Sequence, residues 1–424
     1  MKPPVKVVVV GAGPAGLLAA GSAARAGASV RIIERNSAPG VKLLITGKGR
    51  CNISNTASIK EFVQAFAPDG RFLYRAFSRF FREDLIEILA GNGVQVKVER
   101  GGRLFPFTDR AADVLLALLS WVKRAGVEVR TGNRCTGLLI HQSALAGVKI
   151  TGGTIEADKV ILATGGASYP RTGSTGDGYR LAASAGHTVA TPLPSLVPLV
   201  VKEGFVSKLE GISLRNVRAT VISDDHALAS EAGEMVFTSD GLSGPIILTL
   251  SRLAVPLLAE RKNVVISIDL TPAIPEQELQ RRLIREMVGR QTIKNYLRTL
   301  LPARLVSLFL ELCRLDANKV ISHIDVEERC RLVSKLKDLS FVISSARPLA
   351  EAIVTAGGIP TREIDPLTME SRLLPGLFFA GEIIDIDGPT GGYNLQAAFS
   401  TGYLAGISAA SAEAARLARR MRRT

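Results

Sequence analysis

Cysteine is scarce and long apolar runs are missing. Cys51, Cys135, Cys313 and Cys330 are scattered through 424 residues without a C-x-x-C pair, which excludes a disulfide framework and a zinc knuckle. The histidines, His141, His187, His226 and His323, are equally dispersed, so no metal centre is expected. The apolar run that ends at Val10 is far shorter than the roughly 20 residues that span a bilayer, and no membrane partner is expected. That run leads into a glycine motif rather than a cleavage site, which argues against a signal peptide. With dispersed thiols, this points to a reducing cytoplasm. Aromatics make up 5% of the chain, with a single tryptophan, Trp121, so no aromatic-rich RNA-recognition signature is present.

Positive charge, by contrast, is plentiful. Lys and Arg number 53 against 39 Asp and Glu, a formal charge of +14. Such an excess concentrates polyanions, nucleic acid among them, at a protein surface. Between Arg281 and Arg347 stand 14 Lys or Arg against 7 Asp or Glu. Arg281, Arg282, Arg285, Arg290, Lys294, Arg298 and Arg304 fall at helical spacing there. That segment reads either as a solvated helical face or as a set of RNA phosphate contacts, with Arg281, Arg282, Arg285, Arg290, Lys294 and Arg298 as the candidate RNA-binding residues. A second basic stretch, Arg416 to Thr424, closes the chain.

The N-terminal pattern is specific. A β-branched run reaches Val10, then Gly11-Ala12-Gly13-Pro14-Ala15-Gly16 opens a helix expected to about Ala26, and Ser29 to Ile33 forms a second strand before Glu34. This is a βαβ unit. A pyrophosphate needs backbone N–H groups and a helix N-terminus close by, which side chains at Gly11 and Gly13 would obstruct, and Gly16 lets helix and strand pack tightly. Glu34 is suited to ribose hydroxyls and disfavours a 2′-phosphate. Gly11, Gly13, Ala15, Gly16, Glu34 and Arg35 are the candidate contacts at this end.

Two further turns reach the same extended ligand. The strand Val160 to Ala163 runs into Thr164-Gly165-Gly166, and Leu377 to Ala380 runs into Gly381-Glu382. Ligands of doubly wound sheets lie beyond the carboxyl ends of strands. Gly391-Gly392-Tyr393-Asn394-Leu395 then opens a last helix. An acid at Glu382 suits ribitol, and the helix N-terminus suits negative charge on a reduced flavin. The ligand is therefore FAD.

The intervening segment Lys42 to Asn55 carries Gly47, Gly49, Lys48 and Arg50. Lys42, Lys48 and Arg50 are expected to neutralise phosphate, and Gly49, Cys51, Asn52 and Asn55 to face the cofactor. Cys51 and Tyr393 are the candidate catalytic proton donors. For Cys51, a packing role or a backbone contact to FAD competes with the catalytic one. Cys135 either touches adenine through its backbone or packs. The stretch Tyr169 to Gly178 is expected either beside the flavin ring or as an ordinary loop before a helix. Trp121, Phe80 and Phe81 lie in apolar patterns and belong to the core.

The Leu43 to Asn55 segment and the Gly391-Gly392-Tyr393-Asn394 region resemble the BaiN/RdsA family of flavoproteins, itself similar to the glutathione-reductase-like class. The likeness covers nearly the whole chain. It implies an oxidoreductase using FAD, and a substrate from one of three classes: uridine in large-subunit ribosomal RNA reduced to dihydrouridine, a steroid-type double bond, or a small aminoketone. Ribosomal RNA is the leading partner, a free small molecule is the enzymatic alternative, and an RNA-binding assembly factor with structural FAD is the non-enzymatic one. NADH or NADPH would bind transiently, because only one dinucleotide fingerprint occurs.

The expected fold class is α/β: a Rossmann-like FAD-binding domain in two parts, residues 1–194 and 350–424, interrupted by an inserted, mainly β substrate domain at 195–349. Alternating Val217 to Ile222 and Val264 to Ile268 suggest antiparallel strands in the insert. A helical basic subdomain is expected at about 272–340.

Overall fold

In the computed structural model the described residues are 3–142 and 144–411, and the basic tail from Arg416 lies outside them. The chain divides into two units, Met1–Leu193 with Leu349–Thr424, and Pro194–Pro348.

The first unit is built on a five-stranded parallel sheet in the order Leu377–Phe379, Lys159–Leu162, Lys6–Val10, Ser29–Ile33, Glu128–Arg130. Val7 to Val10 are buried on both faces, which explains a continuous apolar run where a half-exposed strand would alternate. The helix Pro14–Arg25 starts with Pro14 in its first turn, where a missing N–H costs nothing. Trp121, from the helix Ala111–Arg124, packs so closely on that helix that a Cβ at Gly21 would lie 2.0 Å from its ring. Phe80 and Phe81 are buried as well.

The last helix, Tyr393–Ala410, packs on Pro14–Arg25, with Gly402 and Gly406 against Ala15, Ala19 and Ser22. A Cβ at Gly402 would stand 2.2 Å from the Ala15 carbonyl oxygen, and one at Gly406 2.2 Å from that of Ala19. Ser22 Oγ donates to Tyr403 O at 3.2 Å. This contact packs the first and last of the described helices of the unit against each other. The strand Ala190–Ser195 pairs with Val354–Gly358, so the chain leaves and re-enters the unit on neighbouring strands.

The second unit is a closed barrel of six strands: Leu199–Val201, Gly241–Ser243, His226–Phe237, Ser213–Ser223, Val264–Asp269 and Leu339–Ala346, the last pairing with the first. Every pairing is antiparallel. Val264, Ile266 and Ile268 point inward while their neighbours are half-buried, as the alternation predicts. Five helices accompany the barrel: Pro245–Ala259, Glu276–Glu286, Ile293–Leu297, Ala303–Leu312 and Val326–Lys337. Among the described residues no helix is long and apolar enough to cross a membrane, and no group of three or more His, Cys, Asp or Glu could hold a metal ion.

Candidate functional site

The site lies at the carboxyl ends of the central strands of the first unit. A Cβ at Gly11 (φ +105°) would stand 2.4 Å from the Ala163 carbonyl oxygen, and one at Gly16 only 1.9 Å from that of Gly11. These two glycines let the turn and the helix press against the strand Lys159–Leu162. Gly13 differs, because its Cβ position has nothing within 4 Å. At the helix N-terminus this is open space beside N–H groups that have no intrahelical acceptor. The hole is where a pyrophosphate fits, on backbone donors and the positive end of the helix.

Glu34 is nearly buried, and its carboxylate accepts from Ala12 N and Asn36 N, each at 2.8 Å. The acid is thereby fixed beside the glycine turn. The distant motif arrives from the other side: a Cβ at Gly381 (φ +75°) would lie 2.8 Å from that of Ala15, and one at Gly166 would lie 2.8 Å from Glu382 Oε1. The turns at Gly11, Thr164 and Gly381 therefore converge on one cleft. A cradle with backbone room at Gly13 and an acid near each end fits the extended form of FAD.

Charged side chains behave differently from the sequence expectation. Lys42 Nζ donates at 2.7 Å to both Ser168 Oγ and Glu382 Oε2, so the lysine answers the acid rather than a phosphate. Arg50 is likewise committed. It donates to Asp109 at 2.6 Å and to Glu99, with its guanidinium 4.2 Å above the Phe105 ring. Lys97 and Arg50 hold the Asp109 carboxyl below the usual range, and Arg50 does the same for Glu99. Lys48 is exposed, at φ 57°. Arg35 donates to Thr175 Oγ1 at 2.5 Å and to Asp177 at 3.1 Å, and Arg134 takes the same aspartate. The Tyr169 to Gly178 stretch is thus tied to Arg35 and, through Thr172 O, to Asn36. It covers the Glu34 end of the cleft.

Cys51 requires correction. Its side chain is fully enclosed, its N–H donates to Thr46 O, and burial pushes the thiol up to about 12. A thiol with no surface cannot reach substrate, which leaves packing or a backbone contact to FAD for Cys51. Cys135 is also buried, and burial pushes it up to about 11.

Around the last helix the amide side chains act as struts. In the orientation that satisfies both of its ends, the Asn52 amide donates to Leu104 O and Ser54 O and accepts from Gly392 N at 3.1 Å. Asn394 donates to Gly388 O and accepts from Gly388 N, both at 2.8 Å, closing the Gly388 to Gly391 loop on itself. Leu395 is half-buried against the core. The Tyr393 ring lies 4.4 Å from that of Phe62, tilted by 35°, at the rim of an aromatic cluster with Phe66 and Phe77. Its hydroxyl makes no hydrogen bond to a described residue. Burial, with Glu61 adding to it, raises this phenol. Gly49 is half-buried at φ +83°.

Thr355 and Gln396 were given no role by the sequence, and Asn55, expected to face the cofactor, braces backbone. Thr355 Oγ1 accepts from Ala167 N (2.9 Å) and Ser168 N (3.0 Å), and Thr355 N donates to Glu382 Oε1 (2.9 Å). Gln396 is completely buried, accepting from Ser54 Oγ at 2.7 Å and donating to Ser400 Oγ at 3.0 Å. Asn55 Nδ2 bridges Gly101 O and Gly391 O, each at 3.0 Å. Asn55 stood inside a recognised motif. Thr355 had no signal beyond a strand-like neighbourhood.

In the inserted unit, Arg281 and Arg285 pair with Glu278, and Arg282 pairs with Glu286 at 2.7 Å, all along one helix. Arg304 donates to Lys208 O and Glu210 O. Arg290 and Arg298 are exposed and Lys294 is half-buried.

A model described as HI0933-like protein Rossmann domain matches residues 5–408. The chain belongs to this family. It is 33% identical, over 96% of its own length and 99% of the relative's, to a protein of Clostridium scindens named 3-dehydro-bile acid delta(4,6)-reductase. It is 29% identical, over 93% and 96%, to a ribosomal RNA dihydrouridine synthase of Escherichia coli. In fold it resembles the 3-ketosteroid-delta4-(5alpha)-dehydrogenase of Rhodococcus jostii, with a TM-score of 0.51 at 15% identity over 96% of this chain and 97% of that one. As a member of the HI0933-like family the chain is an FAD-dependent oxidoreductase.

Proposed function

We propose that this enzyme reduces the 5,6 double bond of uridine in large-subunit ribosomal RNA, with NADH or NADPH as reductant, and that it does so in the cytoplasm. The observation that carries the reading is the +14 charge, far from what a neutral small substrate requires. The names of the Escherichia coli and Haemophilus influenzae relatives, 29% and 30% identical over 93% and 95% of this chain, support it.

The backbone around Gly11, Gly13, Ala15 and Gly16 would hold the pyrophosphate of FAD, and Glu34 its ribose. Thr164, Gly165 and Gly166 would line the middle of the cofactor, and Gly381 with Glu382 the ribitol. Gly391, Gly392, Asn394 and Leu395 would present the N-terminus of the last helix to the flavin. FAD, held by these residues, would supply the hydride chemistry. Tyr393 holds the proton that C5 receives, its raised phenol staying protonated at neutral pH. The inserted unit is the substrate domain. With Arg281, Arg282 and Arg285 neutralised along their own helix, its RNA contacts fall to Arg290, Lys294 and Arg298.

Mass spectrometry of ribosomal RNA from cells with and without the gene tests the reading. Loss of one dihydrouridine is expected, and unchanged content refutes it. A second reading, reduction of a free ring enone, has its own support in the bile-acid reductase that aligns over 99% of its length. That reading predicts turnover of a free steroid enone by purified protein with no RNA present.

A further inference from the structure

The strand Val96–Glu99 pairs with Arg103–Pro106, Glu99 opposite Arg103, so residues 100–102 form a tight turn. Gly101 and Gly102 have φ of +74° and +71°. A Cβ at Gly102 would lie 2.2 Å from Thr56 Oγ1 and 2.8 Å from Asn55 Oδ1. Thr56 N donates to Gly102 O at 2.8 Å. The turn is therefore pressed onto residues 55 and 56, and Asn55 ties it directly to Gly391, next to the glycine that caps the last helix.

Four cations and two acids occupy this hairpin and its surroundings. Arg50 and Lys97 are spent on Glu99 and Asp109. Arg100 and Arg103 remain. Arg100 is exposed, and Arg103 donates by Nε to Arg100 O at 3.0 Å, which fixes its guanidinium on the turn. Among the described residues neither has a carboxylate partner. Two guanidiniums carried on one turn, that of Arg103 anchored to it and that of Arg100 exposed, suit the tetrahedral oxygens of phosphate groups.

We propose that Arg100 and Arg103 hold backbone phosphates of the RNA strand whose uridine is presented to the flavin. This rests on the RNA reading above. The same phosphate chemistry occurs in a nicotinamide dinucleotide, and the test separates the two.

The full-length, FAD-loaded R100Q/R103Q variant is titrated against a fluorescent single-stranded ribosomal RNA fragment at several salt concentrations, with the flavin absorbance band as the check on folding. Two lost phosphate contacts lower the slope of log affinity against log salt by about 1.4, at roughly 0.7 per contact for single strands, and weaken binding about 25-fold near 0.1 M salt. R100K/R103K recovers most of the slope. An unchanged slope in the glutamine variant, when the wild type binds RNA, overturns the assignment of the hairpin alone. An unchanged slope together with a raised KM for NADPH gives the hairpin to the dinucleotide and overturns it too. A wild type that binds no RNA overturns both this assignment and the RNA reading.

Discussion

The two ends of the cofactor cleft are built by different means. At the Gly11 to Gly16 end the structure works by leaving atoms out: Gly11 and Gly16 are in near contact with other backbone, and Gly13 opens onto empty space. At the Gly388 to Gln396 end, polar side chains hold the backbone in place: Asn52, Asn55, Asn394 and Gln396 each satisfy backbone or hydroxyl groups. At Gly11 and Gly16 the first end tolerates no added atom, whereas the second depends in addition on polar side chains that must be present. Substitutions at the two ends should therefore fail in different ways.

The largest effect is expected at the first end. Gly16→Val places a branched side chain where even a Cβ is 1.9 Å from the Gly11 carbonyl oxygen, a backbone atom that cannot move without displacing the sheet. Purified protein should be colourless or insoluble, and a yellow, stable G16V would break the comparison. Tyr393→Phe comes next. It keeps the ring contact with Phe62 and removes only the proton, so turnover should fall by about 10²- to 10⁴-fold with flavin content intact. A rate within a factor of two of wild type would remove Tyr393 from the mechanism. Asn55→Ala should cost about 1–3 kcal/mol in urea unfolding, because the buried amide is lost and Gly101 O, Gly391 O and Ala57 N, the last two half-buried, all lose a partner.

The same contrast explains what the residues announced in advance. The Gly11 to Gly16 turn and Glu34 were legible because backbone room and a strand-end acid leave a fixed spacing in the chain. The convergence of Ala163 and Gly381 on that turn followed from parallel strand order. Pairing across long separations leaves no such trace. Lys42 reads as a phosphate ligand until the fold places Glu382 2.7 Å from it, 340 residues away. Arg281, Arg282 and Arg285 count as positive charge in the sequence and are largely cancelled by Glu278 and Glu286 in the structure. In the insert, alternation disclosed Val264–Asp269 as a strand, yet nothing local announced that Leu339–Ala346 returns to Leu199–Val201 and closes the barrel.

The smallest effect is expected at Cys51, between the two ends. A thiol in this segment invites a catalytic role, and that role demands a sulfur that can reach the reacting atoms. The enclosed side chain denies it. Cys51→Ala removes one buried sulfur and leaves a small void, a cost of about 1–2 kcal/mol in unfolding free energy. Turnover should stay within a factor of about two of wild type, and the wild-type pH–rate profile should show no thiol limb from about pH 6 to 10, since a group titrating near 12 stays protonated throughout. If C51A lost activity as Y393F is expected to, while keeping its flavin, the enclosed site would have to open during turnover, and the side chains at the flavin end could no longer be treated as fixed struts.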